Sequence, residues 1–227
     1  MAGNTVREVD DSVKIRHVLC SVSDKTGLEQ LIPALVDLNP EVRIFSTGGT
    51  FDALQKLLGE KATRNLTQVS EYTGQPETQG GLVKTLDFKI YLGLLTETYN
   101  EAHQGDLKRT KAVAIDMVVV NLYPFKQTVA KAGVTVEEAR ANIDIGGPCM
   151  IRASAKNYLR VASVVDPADY GRIVDVLRKS GGKLDLATRF GLARKAFAHT
   201  ASYDTAIAAF LESPKDETMK GCYHIKG

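Results

Sequence analysis

The sequence predicts a single α/β domain built on a parallel sheet. Three observations predict it. The chain opens on two successive strand–turn–helix units, which join parallel strands through right-handed crossovers. Met117–Leu122 (MVVVNL) is an apolar, β-branched run but for Asn121, broken at Tyr123-Pro124, as expected of a buried strand. The composition, 44% hydrophobic and 25% charged over 227 residues, is that of a globular chain large enough to enclose a sizeable core.

In order along the chain, residues 1–14 read as a loose arm and Ile15–Val22 as a buried strand. The polar turn Ser21-Val-Ser-Asp-Lys-Thr-Gly27 stops it, and Leu28, Leu31, Ile32, Leu35 and Leu38 recur at helical spacing. Pro33 should bend that helix or shorten its first turn. Val42–Phe45 is a second strand, closed by Ser46-Thr-Gly-Gly-Thr50, and Phe51–Leu58 a second helix. Leu66–Ser70 is a candidate third strand. The stretch from Thr73 to Leu82 is rich in turn formers and reads as an active loop. Lys89–Thr96 is apolar and ambiguous, and Glu97–Lys111 is polar and partly helical.

The second half begins with the Met117–Leu122 strand. A helix follows at Val136–Ile143, then a sharp turn through Asp144-Ile-Gly-Gly-Pro148, then a helix at Cys149–Lys156 with Pro148 at its first position. Val161–Val165 is a strand. Asp166-Pro-Ala-Asp169 caps a helix to about Lys179, which Ser180-Gly-Gly182 ends. Leu184–Leu211 is one long helix or a pair. About 15 residues then remain as a mobile tail, so the folded core spans about residues 15–212 as one unit.

Composition also narrows the function. Lys+Arg 29 against Asp+Glu 27 is too balanced for a nucleic-acid binder, so any anion site is local. No apolar run approaches the ~20 residues of a membrane span, and no signal peptide is visible. Three cysteines without a C-x-x-C pattern fit a reducing compartment, hence the cytoplasm. The four histidines share no ligand spacing, and Cys222-x-His224 lies in a polar tail, so no metal site is expected.

Both early turns follow a strand and open a helix. Such junctions direct unpaired N–H groups and the positive end of a helix dipole at one point. Ser21, Ser23, Lys25 and Thr26 add hydroxyls and an ammonium to the first; Thr47, Gly48, Gly49 and Thr50 supply donors and close backbone approach at the second. Two neighbouring junctions at the carboxyl ends of parallel strands describe a phosphate cradle. Neither matches a P-loop or a dinucleotide fingerprint. Lys84-Thr85, Asn121, Tyr123, Asp144 through Gly147 and Lys156 are further polar candidates, each of which taken alone also reads as a solvated charge, a cap or a core aromatic. The residues by themselves name no reaction.

Read together, SVSDKTGL (21–28), STGGT (46–50), VSEYTGQPE (69–77), VKTL (83–86), VVVNLYPF (118–125), NIDIGGPCMIRASAKN (142–157) and VVDPADY (164–170) resemble, in family order, the inosine monophosphate (IMP) cyclohydrolase domain of bifunctional purine biosynthesis proteins. The similarity runs from about residue 17 to 211; the transformylase half has no counterpart in this sequence. The resemblance implies a three-layer, mostly parallel, methylglyoxal-synthase-like α/β fold. It also implies dehydrative ring closure of 5-formamidoimidazole-4-carboxamide ribonucleotide to IMP, without metal or organic cofactor. It further implies a homodimer, and a separate transformylase as a candidate partner. By motif, Lys84, Tyr123, Asp144 and Lys156 match the family's catalytic residues. Ser21, Ser23, Lys25, Thr26, Thr47, Gly48, Gly49 and Thr50 match its phosphate site, and Thr85, Asn121, Ile145 and Gly146 the lining of its base.

The family segment around Lys84 normally carries an arginine and two histidines. Here those positions hold Leu82, Asp87 and Tyr91, with Phe88 in place of a proline. A guanidinium fork is lost and a carboxylate is added near a phosphorylated ligand. The alternative expectation is therefore a cyclohydrolase-like protein that binds a nucleotide or phosphoribosyl ligand without this turnover.

Overall fold

The structure, a computed structural model, describes residues 5–75 and 84–226. Its strands are β1 (Ser12–Lys14), β2 (His17–Val22), β3 (Arg43–Ser46), β4 (Leu66–Gln68), β5 (Met117–Asn121), β6 (Ala162–Val164) and β7 (Lys183–Asp185). Five of them form a wholly parallel sheet in the order β4-β3-β2-β5-β6, while β1 and β7 make a separate antiparallel ribbon. The helices are α1 (Leu28–Leu38), α2 (Gly48–Leu58), α3 (Ala62–Asn65), α4 (Val69–Thr73), α5 (Phe88–Leu95), α6 (Glu101–Thr110), α7 (Phe125–Val129), α8 (Val136–Ala141), α9 (Gly146–Lys156), α10 (Tyr170–Ser180), α11 (Leu186–Leu211) and α12 (Asp216–Lys220).

The three layers follow from alternation along the strands. Val18, Cys20 and Val22 of β2, with Met117 and Val119 of β5, face one apolar cluster with α1 and α10. Leu19, Val118 and Val120 face the other, with α5, α9 and α11. Both faces of the sheet are covered, so β5 is buried along its whole length, as its unbroken apolar run requires. The chain leaves β2 toward β3 on one side and returns on the other as β5. That reversal places a crevice at the carboxyl ends of β2 and β5, where open α/β sheets bind ligands.

Several expectations are corrected. Within the expected 1–14 arm, residues 10–14 are tied down, because β1 pairs with β7 and the fully buried Arg189 holds the carbonyls of Asp10 and Asp11. Arg189 donates to the carbonyls of Asp10, Asp11, Tyr158, Leu159 and Leu184, so all its donor directions are met by backbone. The 66–70 strand stops at Gln68, and Val69 begins α4. The ambiguous 89–96 run is α5, whose cap is Asp87: its Oδ1 accepts the Lys89 N–H at 2.8 Å. Helix α2 starts at Gly48 and α9 at Gly146, so Pro148 is the third helical residue rather than the first. Pro33 leaves α1 unbroken from Leu28 to Leu38. The tail forms α12, and the Tyr223 hydroxyl donates to Glu137 of α8 at 2.7 Å. Most of the expected 73–82 loop, Leu82 included, lies outside the described residues.

Candidate active site

A cavity of about 600 Å³ opens at the crevice between β2, β3 and β5. Of the residues predicted from sequence, Ser21, Ser23, Lys25, Thr47, Gly48, Gly49, Thr50, Lys84, Thr85, Asn121, Tyr123, Asp144 and Ile145 line it. Val22, Val120, Ile143, Gly147 and Met150 complete the wall. Thr26, Gly146 and Lys156 are not part of the lining.

The end of the cavity at β2 and α2 is built by local chain chemistry. Asp24 Oδ1 accepts the Thr26 N–H at 2.9 Å, and the hydroxyl of Thr26 also bonds that carboxylate, which holds its pKa below the usual carboxylate range. Thr26 is thus the brace of the loop rather than its surface. Asn121, at the end of β5, pins the same loop twice: its Oδ1 accepts from Asp24 N–H and its Nδ2 donates to Asp24 O, both at 2.8 Å. The buried Thr50 hydroxyl bonds both N–H and C=O of Val22 at 3.0 Å, tying α2 to the end of β2. Gly48, at φ +53°, turns the chain into α2, and a Cβ there would lie 3.8 Å from the Lys84 ammonium. Lys84 therefore stands over the N-terminus of α2. That helix end, Lys25 and Lys84 bring three sources of positive potential to one wall.

The opposite wall is the turn into α9. Asp144 Oδ1 accepts the Gly147 N–H at 2.8 Å and caps the helix, and the carboxyl also receives the Tyr123 N–H. Burial nevertheless raises the Asp144 pKa above the ordinary carboxylate value; the two N–H groups only partly oppose this. Close packing explains the glycine pair. A Cβ on Gly147 would meet Asp144 Oδ2 and Leu122 Cδ2 at 2.5 Å, and one on Gly146 would meet Thr85 Oγ1 at 2.6 Å. The missing Cβ on Gly146 thus leaves room for the buried Thr85. Tyr123 and Ile145 are more than half exposed at the mouth.

Lys156 is not brought to this cavity. Helix α9 leaves the carboxyl edge of the sheet and runs back to its amino edge, and its 11 residues separate the ends by about 15 Å. Lys156 is exposed at that far end. The neighbouring Asn157 donates to the carbonyls of Leu94 and Thr96 there. Asp87, whose charge the sequence set near the ligand, is instead buried as the cap of α5. Sequence reading missed Tyr203 of α11, whose hydroxyl accepts the Asp144 N–H at 2.8 Å. A tyrosine within a helical apolar stripe gives no sign of such a task.

Comparison with known proteins agrees with this architecture. A family model described as MGS-like domain matches residues 27–149, and one described as AICARFT/IMPCHase bienzyme matches residues 154–226. The chain is 47% identical over 197 residues to the bifunctional purine biosynthesis protein PurH of Ruminiclostridium cellulolyticum, covering 87% of this chain and 37% of that one. It is 47% identical over 210 residues to the protein of the same name from Magnetococcus marinus, covering 92% and 38%. It thus spans a little over a third of the length of these relatives. A solved structure described as "Crystal structure of ForH" aligns with a TM-score of 0.69 at 30% identity, over 86% of this chain and 97% of that one. With more than half of its length matched by that family's model, the chain belongs to the MGS-like domain family.

Proposed function

We propose that the chain is an IMP cyclohydrolase of purine biosynthesis, closing the six-membered ring of the formylated imidazole carboxamide ribonucleotide with loss of water. The observation that carries this reading is that one cavity is lined both by Ser21, Ser23, Lys25 and the N-terminus of α2 and by Asp144 and Tyr123. The substrate's phosphate would sit among Ser21, Ser23, Lys25 and the N-terminus of α2.

The carboxamide nitrogen attacks the formyl carbon, and the new N–C bond gives a tetrahedral carbinolamine. Loss of a proton from nitrogen and of the hydroxyl as water completes the ring. Amide nitrogen and formamide carbon are both poor reactants, so holding them in contact supplies much of the acceleration, up to ~7–11 kcal/mol. Asp144 takes the nitrogen proton. Its raised pKa makes it a stronger base than an exposed carboxylate. The N–H groups at the start of α9, around Ile145 and Gly146, stabilise the oxyanion. Tyr123 and Lys84 deliver a proton to the departing hydroxyl. Lys156 has no reach to these atoms within one chain; it would take part only if a second copy, as in the expected homodimer, brought it to the cavity. A transformylase acting in the same cytoplasm would supply the formylated substrate.

The placement of Lys156 favours one alternative, a protein that binds such a ribonucleotide without turning it over. Mixing the protein with the formylated ribonucleotide and following product absorbance separates the two. Turnover that Asp144→Asn abolishes supports the enzyme. Tight IMP binding by calorimetry with no product supports the binding protein.

A further inference from the structure

We propose that Tyr203, on the long C-terminal helix α11, is a positioning residue that sets the Asp144 turn. The inference rests on the cyclohydrolase reading for its kinetic consequence and on geometry alone for the rest. Among the described residues, α11 contributes no lining side chain to the cavity. One residue of it nevertheless reaches the cavity wall from behind. The Tyr203 hydroxyl accepts the Asp144 N–H at 2.8 Å and donates toward Asn142 O at 3.4 Å, so one oxygen spans both ends of the turn. Its ring is buried and stands edge-on to Phe125 at 6.1 Å, and Phe125 stands edge-on to Phe210 at 6.0 Å. The hydroxyl is therefore held from below by an aromatic stack and has little freedom to follow a moving turn.

The carboxyl itself is fixed from the other side. Gly147 N–H holds Oδ1, and the absence of a Cβ on Gly147 leaves room for Oδ2. Backbone N–H and carboxyl of one residue are thus clamped by two different helices. Without the Tyr203 hydroxyl the clamp has one jaw. The Asp144 N–H then seeks water, the turn opens, and the carboxyl gains solvent. The titratable groups about the turn are Tyr123, just beyond β5, and Tyr203 of α11, which itself feels Asp204; Lys84 lines the same cavity.

The test is Tyr203→Phe, which keeps the ring and removes one atom. Two readouts are taken on the whole chain. The first needs no turnover: the Asp144 carboxyl is titrated by carbon-13 NMR. The midpoint is expected to fall toward the ordinary carboxylate range in Tyr203→Phe, as water replaces the packed turn. The second is kinetic: kcat for ring closure falls about 10- to 100-fold, the penalty typical of an ångström-scale misplacement, while KM changes less than about threefold. Phe210→Leu is the control, loosening the same aromatic stack without touching the turn. It is expected to lower Tm and leave the Asp144 midpoint in place. An unmoved midpoint in Tyr203→Phe, or an equal shift in Phe210→Leu, overturns the proposal. A wild-type protein without ring-closing activity but with the expected midpoint shift overturns the cyclohydrolase reading alone.

Discussion

Replacing Gly147 by alanine adds one methyl group at the point where the α9 turn is tightest. The new Cβ would stand 2.5 Å from Asp144 Oδ2 and 2.5 Å from Leu122 Cδ2, well inside contact distance. Leu122 is buried directly after β5 and has little room to retreat. The carboxyl is the softer neighbour, so Asp144 moves. Such overpacking costs about 1–3 kcal/mol, against a gain of about 0.8–1 kcal/mol from the better helix former. The net loss, about 1 kcal/mol, lowers Tm by ~2–4 °C for a chain of this size. The effect on chemistry is larger, since a displacement of about 1 Å at a reacting group can remove ~10²-fold in kcat. Gly191 in α11 is the reference, because a Cβ there meets nothing within 4 Å. Gly191→Ala should raise Tm by a similar ~2–4 °C and leave kcat unchanged. Calorimetry on the two variants, with the formyl-ribonucleotide assay, gives the answer. If Gly147→Ala is as stable as Gly191→Ala and fully active, the crowded turn described here does not exist.

Deleting residues 1–14 should be severe, because Arg189 loses its bonds to Asp10 O and Asp11 O while still buried. With each charge-assisted bond worth ~1.5–3 kcal/mol, the loss is about 3 kcal/mol or more, read as a fall in urea midpoint; an unchanged midpoint would contradict the strap. Asp144→Asn should trade activity for stability. Burial raises the Asp144 pKa, so the wild type is best held while that carboxyl is protonated and loses the advantage as pH rises through the folded pKa. The Tm of Asp144→Asn relative to wild type should therefore climb as pH goes from about 4 to neutrality, with ring closure abolished. A difference in Tm that shrinks over that range would reverse the sign argued here. Lys25→Ala should weaken inorganic phosphate binding severalfold and raise KM with kcat nearly kept, whereas Lys156→Ala should leave phosphate affinity untouched. Isothermal titration showing equal losses in both would place Lys156 at the cavity after all.

Much of the sheet was legible because it is buried on both sides. The MVVVN run of β5 admits no amphipathic reading, and the two early turns announce themselves by Gly, Ser and Thr next to a strand. Short elements were less legible. β1 owes its existence to β7 and to Arg189, partners about 170 residues away that a local pattern does not register. The Phe88–Leu95 run is apolar enough for either a strand or a helix, and its buried Asp87 cap decides for helix. Within the site, motif matching grouped Lys156 with Asp144 through a shared helix. It did not see that a helix carries its two ends to opposite edges of a sheet. Tyr203 was invisible for the converse reason, since its contribution is one hydroxyl at the back of a wall.

The middle position of β2 has a consequence for how the protein comes into being. Its partner β3 is made almost at once, but its other partner β5 emerges only after the intervening strand and helices, and the bonds joining Asp24 to Asn121 bridge 97 positions of sequence. A nascent chain can thus display the Ser23–Thr26 and Thr47–Thr50 loops while the Asp144 side of the cavity is still unmade. Closing so wide a loop is slow, and the hollow exists only once it is closed. A ribonucleotide would consequently reward only the finished molecule, protecting it against global opening rather than guiding early steps.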